Sequence, residues 1–311
     1  MSSTIRVSVL IPAYNEAGNV SELIARTAQA FSGLGVAGEL VFVDDGSGDG
    51  TADRVLALQP EHPWLRLIRH RRNRGLTAAL RSGFRAAGGD YILFLPADLE
   101  SHPDEDIPKL FQALEGGLDV VAGWRQGRAD GKELASAIYN GVSRRLFDVR
   151  VHDANWIKGF RREVIASLPP LRSDWHRFLV HIAADQGFRV GEVVTTWYPR
   201  KTGRSHFGFG RIPISLLDVL VIRFLLTFSQ APMRFFGGLG LSSLLVSGFV
   251  FVVLGYLWFF QQQTQKRPIF WTALVLTLAG LLFFLVGFLA ELIVAQGDRL
   301  TDLEDRLNDA E

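Results

Sequence analysis

IRVSVLIPAYNE, residues 5–16, decides the fold class. A short run of β-branched and aliphatic side chains ends at Pro12, which reads as a buried strand. Helical spacing follows over residues 16–31 through Val20, Leu23, Ile24, Thr27 and Phe31, with Gly33 as its stop. The pattern then repeats. Strands are expected at 39–43, 65–68, 91–95 and 119–122, and helices at 51–58, 78–87 and 107–114. Such alternation predicts an α/β fold with a doubly wound, mostly parallel sheet. Ligands bind such sheets at the carboxyl ends of the strands. The acidic clusters fall there: Asp44 and Asp45 after the second strand, Asp98 and Glu100 after the fourth. Further on, helices are expected at 134–146 and 175–186, a strand at 189–195, and a Gly-rich loop at 202–210.

The 311 residues leave room for one sizeable soluble domain plus membrane segments. Lys and Arg number 33 against 32 Asp and Glu, a balance that points to no nucleic-acid partner. The absence of cysteine excludes disulfides, thiolate metal sites and a cysteine nucleophile. The first residues carry no basic n-region and no long apolar h-region, so the soluble domain is expected on the cytoplasmic side.

Residues 235–260 and 268–290 contain no charged residue, and each exceeds the about 20 apolar residues that cross a bilayer. They predict a transmembrane helical hairpin over 231–297, in a multi-pass protein of the cell (inner) membrane. Arg211, Arg223 and Arg234 precede it, Lys266 and Arg267 lie in its loop, and Arg299 and Arg306 follow; this distribution favours both termini inside. Trp258 and Trp271 flank the loop, where interfacial aromatics belong. Residues 212–228 are very apolar but contain Asp218 and Arg223. A spanning helix would bury both at about 2.5–3.5 kcal/mol each. We therefore read 211–230 as an interfacial amphipathic helix, with a third span as the alternative. In the C-terminal tail, 298–311, Leu300, Leu303 and Leu307 have helical spacing; a solvated cytoplasmic helix end and a self-association helix of a homo-oligomer both fit. The soluble domain then occupies residues 1–210.

Three segments carry candidate chemistry. In IPAYNEAGNV, residues 11–20, Tyr14 could stack on a base and Glu16 accept from a sugar or base donor; a plain helix entry with Asn15 as cap fits equally. In FVDDGSGDGT, residues 42–51, an Asp could read the donor edge of a nucleobase or ribose, or the segment is an Asp/Gly turn with Asp49 or Thr51 capping the next helix. In FLPADLESHPDEDIP, residues 94–108, Asp98 and Glu100 are two apart, so an extended chain puts both on one side. One or two hard oxygens are what a divalent cation bridging phosphates takes from protein. The competing reading is an acidic loop entering a helix at Pro108. No P-loop Lys and no GxGxxG follows the first strand, which disfavours an NTPase and a dinucleotide dehydrogenase.

Taken together and in order, PAYNE, VDDGS, Asn73-Arg74-Gly75 and the strand ending in an Asp motif resemble the family 2 glycosyltransferases of the GT-A fold. AGWRQGR (122–128) resembles that family's Gly-x-Arg strand end, VHDANWIKGFRREV (151–164) its Asp…Gly-Phe-Arg…Arg segment, and YPRKTGRSHFG (198–208) its Arg-x-x-Gly-x-Ser-Lys loop. With the trailing hairpin, the match extends to the polyprenyl-phosphate branch, similar to dolichol-phosphate mannose synthases and two-span relatives acting on undecaprenyl phosphate. The resemblance implies that Pro12, Tyr14, Glu16, Val43, Asp44 and Asp45 hold the nucleotide. Asp98, with Glu100 beside it, would bind Mg²⁺ or Mn²⁺. Arg125 would lie by the donor or acceptor phosphate, while Arg200, Arg204 and Ser205 would close over the phosphates. Three departures stand out: Pro96 in place of the first Asp of the DAD motif, His206 in place of Lys, and two extra residues between Asp153 and Gly159-Phe160.

The implied reaction is attack by a lipid phosphate oxygen on the anomeric carbon of a UDP- or GDP-linked sugar, with inversion. The implied partners are the nucleotide-sugar donor, a polyprenyl (undecaprenyl or dolichyl) phosphate acceptor and the lipid bilayer, with no nucleic acid. Two rivals remain at this stage. A non-catalytic membrane adaptor is motivated by Pro96. A processive polysaccharide synthase is disfavoured because Gln186-Gly-Phe-Arg189 continues with Val190 rather than Trp.

Overall fold

The computed structural model describes residues 5–126, 151–169, 171, 175–200, 221, 224, 228, 231–261 and 267–308. The chain divides into two compact units, Met1–Val219 and Leu220–Glu311.

The first unit contains β1 (Val7–Ala13), α1 (Val20–Leu34), β2 (Gly38–Asp44), α2 (Thr51–Leu58), β3 (Leu65–Arg69), α3 (Leu76–Ala86), β4 (Tyr91–Phe94), α4 (Pro103–Glu115) and β5 (Val120–Gln126). After these come β6 (Lys158–Arg161), α5 (Arg162–Ser167), α6 (Leu179–Asp185) and β7 (Val190–Thr196). Seven strands form one sheet in the order β3-β2-β1-β4-β6-β5-β7. The pairs β1–β2, β1–β4, β2–β3 and β5–β7 are parallel, whereas β6 runs antiparallel to both β4 and β5.

Alternate side chains of a strand point to opposite faces. In β1, Val7, Val9 and Ile11 enter one core with Leu23 and Ile24 of α1 and Leu110 and Leu114 of α4. Leu10 enters the other, with Val41, Val43, Phe94 and Leu80 of α3. That second face continues through Val120, Ala122 and Phe160 onto Val164, Leu179 and Val180. Both faces are covered, which is why the strands read as unbroken apolar runs. Gly159 permits the close packing at β6: a Cβ there would stand 2.8–3.0 Å from Val121, Leu93 and Leu114 side-chain carbons.

Three elements depart most from the sequence reading. β6 was not anticipated. α4 starts at Pro103 rather than 107, because proline suits the first helical turn and Asp104, Glu105 and Asp106 favour its positive end. The helix expected over 175–186 is a 3₁₀ turn, Trp175–Arg177, followed by α6. The helix expected at 134–146 and the loop at 202–210 lie outside the described residues.

The second unit holds α7 (Pro232–Gln261) and α8 (Arg267–Asn308). Within them, Pro232–Phe260 and Pro268–Gly297 are long and apolar enough to cross a membrane. The two helices meet through small residues, as membrane helix pairs do. A Cβ on Gly240 would stand 2.7 Å from the Gly280 carbonyl. The Ser247 hydroxyl donates to the Ala273 carbonyl at 2.7 Å and bonds the Thr277 hydroxyl at 2.5 Å. Glu291 accepts the Met233 N–H at 3.1 Å, at the positive end of α7. Outward, Phe249, Val252 and Phe259 are each about 70 % exposed. Apolar surface this continuous marks a lipid-facing element. The tail, read as a helix end or a self-association helix, is helical and continues α8 to Asn308. Of the expected interfacial helix only Val221, Phe224 and Phe228 are described, each helical, with Phe224 and Phe228 against Phe235 at centroid distances of 5.4 and 4.6 Å.

Candidate active site

The carboxyl ends of β1 and β2 are joined by a polar lattice. Asn15 takes a left-handed backbone (φ 59°), which Asn tolerates better than most side chains. Its N–H donates to the Ser47 hydroxyl at 2.9 Å, and its side-chain oxygen accepts the Gly48 N–H at 3.0 Å. Asp49 accepts the Ala17 N–H at 3.0 Å and the Thr51 N–H at 3.0 Å. Tyr14 is left exposed beside this lattice. Glu16 accepts from the Asn19 amide at 2.6 Å. Burial, with Asp98 as a second cause, pushes its carboxyl up from 4.5 to about 7.

The two adjacent aspartates have separate surroundings. Asp44 is fully buried; one oxygen accepts the Ser47 N–H at 3.1 Å, while its other oxygen, 3.7 Å from Arg69 Nε, has no hydrogen bond. A buried acceptor left open in this way suits a donor from a ligand. Asp45 is engaged throughout. It accepts the N–H groups of Arg74 (2.9 and 3.1 Å) and Gly75 (2.7 Å), and meets His70 Nδ1 at 2.6 Å. Its carboxylate thus ties the 73–75 turn to the sheet. Pro12 and Val43 are buried backbone neighbours in the β1–β2 register, directly before these groups.

At the end of β4, Leu99 is buried in a left-handed conformation (φ 58°), an uncommon strain for a branched side chain. The reversal turns Asp98 and Glu100 toward one guanidinium. Arg200 Nη2 lies 2.7 Å from Asp98 Oδ2, and Arg200 Nε donates to Glu100 Oε1 at 2.6 Å. The Tyr198 N–H donates to the Glu100 carbonyl at 3.0 Å, and its ring stacks on His102 at 3.6 Å, which fixes the segment that carries Arg200. Burial first, then the Glu100 charge, raises the Asp98 carboxyl above its ordinary range, against the pull of Arg200. Among the described residues no group of three or more His, Cys, Asp or Glu could hold a metal unaided.

Arg125, near the end of β5, is clamped by Asp153, which accepts its Nε–H at 2.5 Å, and by the Trp156 ring 4.5 Å from its guanidinium carbon. Beneath it lies Lys158, 1 % exposed, with Nζ 3.3 Å from the His176 carbonyl and 5.6 Å from the Phe94 ring centroid. Burial pushes its amine down from 10.5 to about 7, helped by Arg125 and Arg177 and opposed by Asp153. Sequence reasoning did not single out Lys158, because nothing local marks Lys158–Arg161 as a buried strand. Asp98, Glu100 and Arg200 are brought together by direct contact, with Glu16 electrostatically coupled to Asp98. Arg125 is held by a different partner. Arg204 and Ser205 lie outside the described residues.

A glycosyltransferase is the class this fold and arrangement define, and comparison with known proteins fixes the family. The family model described as "Glycosyl transferase family 2" matches residues 8–167. The dodecaprenyl-phosphate galacturonate synthase of Rhizobium johnstonii (strain DSM 114642 / LMG 32736 / 3841) is 31% identical over 299 residues, covering 93% of this chain and 88% of that protein. This chain belongs to glycosyl transferase family 2. Solved structures agree on the fold. Glucosyl-3-phosphoglycerate synthase from Mycobacterium tuberculosis with Mn²⁺ and UDP-glucose superposes with TM-score 0.57 at 21% identity, over 70% of this chain and 79% of that one. The same enzyme with Mn²⁺, UDP and phosphoglyceric acid gives 0.57 at 22%, over 70% and 78%.

Proposed function

We propose that this chain moves a sugar from a nucleotide-sugar donor, UDP- or GDP-linked, to a polyprenyl phosphate, inverting the anomeric carbon, with the catalytic unit on the cytoplasmic side of the inner membrane. The carrying observation is the carboxylate pair Asp98–Glu100 at the carboxyl end of β4, bridged by the Arg200 guanidinium. The apolar hairpin and the dodecaprenyl-phosphate relative support a lipid acceptor.

The donor set fits a divalent cation. Two hard carboxylate oxygens face one positive group, and diphosphate and water oxygens complete such a shell. Glu100 compensates for Pro96, since it shares the clamp on Arg200 with Asp98. Solved relatives carrying Mn²⁺ and UDP favour Mg²⁺ or Mn²⁺ and a uridine donor. Asp98 and Glu100 would hold the ion, whose charge offsets that developing on the departing nucleoside diphosphate.

The chain's own residues do the rest. Tyr14 and Pro12 flank the base, Asp44 offers it the open carboxylate oxygen, and Glu16 and Val43 border the sugar side. Asp45 acts through the turn it holds. Arg200, released from the carboxylates, and Arg204 with Ser205 would engage the phosphates. Arg125 would bind phosphate through its planar fork. A phosphate monoester has a second pKa near about 6, so its nucleophilic oxygen is already ionised at neutral pH. Positioning and charge stabilisation then suffice without a strong general base.

The test is transfer by membranes containing the full chain, with a donor panel and undecaprenyl phosphate, read by mass analysis of the lipid product. Asp98→Ala should lower turnover by about 10²–10³-fold while the protein stays folded, as for loss of an electrostatic group in other enzymes. Near-normal transfer by purified Asp98→Ala would sink the assignment. Nucleotide-sugar binding without turnover by the wild type would favour the adaptor.

A further inference from the structure

Charge is segregated along the outer edge of the sheet. The chain as a whole is balanced, with 33 basic and 32 acidic side chains, yet residues 62–89 hold seven arginines and no Asp or Glu. These residues form β3, the edge strand, and α3 behind it. Arg66 is paired with Glu39 at 2.9 Å, and Arg69 lies 3.7 Å from Asp44. Arg71, Arg72, Arg74, Arg81 and Arg85 are exposed, and none forms an ion pair among the described residues.

The strand and helix present one continuous face. Arg66 donates to the Ala86 carbonyl at 2.7 Å, and His70 Nε2 meets the Ser82 hydroxyl at 2.8 Å, so the two elements are stitched side by side. Arg81 and Arg85 are four apart on a helix, hence neighbours on one side of it, and like charges at that spacing repel. The loop between the elements is held rather than loose. His70 and the N–H groups of Arg74 and Gly75 are all pinned to Asp45. A cleft of about 490 Å³ opens in it, lined by Arg69, His70, Arg71, Arg72 and Arg74.

We infer that this arginine face docks on anionic phospholipid headgroups. Guanidinium forks match phosphate oxygens bidentately, and basic clusters near an acidic leaflet are attracted residue by residue. A bilayer is the polyanion within reach of this chain, because the same polypeptide carries two apolar helices long enough to cross one. The inference therefore rests on the membrane reading given above. It adds a contact by the catalytic unit itself, distinct from the hairpin.

The test places full-length protein in nanodiscs of phosphatidylcholine alone or with phosphatidylglycerol, and follows trypsin cleavage after Arg71, Arg72 and Arg74. Phosphatidylglycerol should slow these cuts at least tenfold, while cleavage after Arg189, beside the opposite edge strand, keeps its rate. Salt at 0.5 M should remove the protection by screening. Arg81→Gln/Arg85→Gln leaves the cut sites intact and should remove most of the protection, since headgroup affinity falls about fivefold per arginine. Equal rates in both discs would overturn the inference. So would protection by added RNA or polyphosphate in phosphatidylcholine discs with none from phosphatidylglycerol, which would name a soluble polyanion instead. A chain that fails to enter nanodiscs would overturn the membrane reading first, and this inference with it.

Discussion

Replacing Lys158 with methionine should stabilise the protein at low pH and lose that advantage as pH rises. Lys158 is 1 % exposed and its amine is pushed down to about 7 from 10.5. Below pH 7 both folded and unfolded chains carry the proton, and the fold bears the full cost of the buried charge. Between pH 7 and 10.5 the folded amine is neutral while the unfolded one still binds a proton, so stability rises with pH. At about 1.36 kcal/mol per pH unit the whole gap amounts to about 5 kcal/mol, and the part between pH 7 and 9 to about 3 kcal/mol. Losing the bond to the His176 carbonyl and changing the packing contribute an offset that does not vary with pH. The informative quantity is therefore the Tm of Lys158→Met minus that of the wild type, taken at pH 6 and again at pH 9. For a unit of this size about 2–4 °C correspond to 1 kcal/mol, so the difference should shrink by about 5–10 °C. Differential scanning fluorimetry in detergent measures it. A difference that stays flat across this range would show that the ammonium keeps its ordinary basicity, and that the space beneath Arg125 is wet.

Three further substitutions probe other parts of the structure. Gly280→Leu should force α7 and α8 apart where Gly240 meets the Gly280 carbonyl; because the chain has no cysteine, disulfide yield in a Ser247→Cys/Thr277→Cys background reports the separation and should fall severalfold. Asp45→Ala leaves the Arg74 and Gly75 N–H groups without their acceptor, at a cost of about 2–4 kcal/mol, visible as a lower Tm and faster hydrogen exchange over residues 70–76. Glu16 holds its proton in the fold up to about pH 7, so the wild type loses stability as pH climbs from 4.5 to about 7. Glu16→Gln should abolish that slope, worth about 1–2 kcal/mol once partial solvent exposure is allowed for, and Tm values at pH 5 and pH 8 give the comparison.

The residues that pointed to the fold were those whose burial is set locally. β1, β2 and β4 are continuous apolar runs because helices cover both faces, and such runs are visible without any structure. β6 was invisible for the opposite reason. Lys158-Gly-Phe-Arg161 is four residues long, two of them charged, and it is a strand only because β4 and β5 stand on either side of it. The acidic ends of β2 and β4 were legible as a candidate site. What they do was less so. Asp45, expected at the nucleotide, accepts from a turn some thirty residues on, a contact that no local pattern announces. Arg200, expected at phosphates, lies on Asp98 and Glu100, a pairing across one hundred positions that no local pattern encodes. Neither membrane helix needed tertiary information, since lipid asks only for length and apolarity.

The reversed strand also sets a timetable. Strands β3, β2, β1 and β4 form one contiguous block, and β5 with β7 another; β6 alone is hydrogen-bonded to both. On a ribosome the first block can pair as soon as Phe94 is available, and with it the groups from Tyr14 to Asp98 take their places. β5 has no place in the sheet until Lys158–Arg161 arrives, after residues 95–157 have been made, several seconds later at about 5–20 residues per second, and β7 joins later still. Throughout that interval the nascent chain carries the β1, β2 and β4 groups of the candidate site beside an open sheet edge at β4, before Arg125 is placed. A chaperone or a misfolding contact that competes for this protein would compete for that edge, and Gly159 at the centre of the closing strand is where the contest ends.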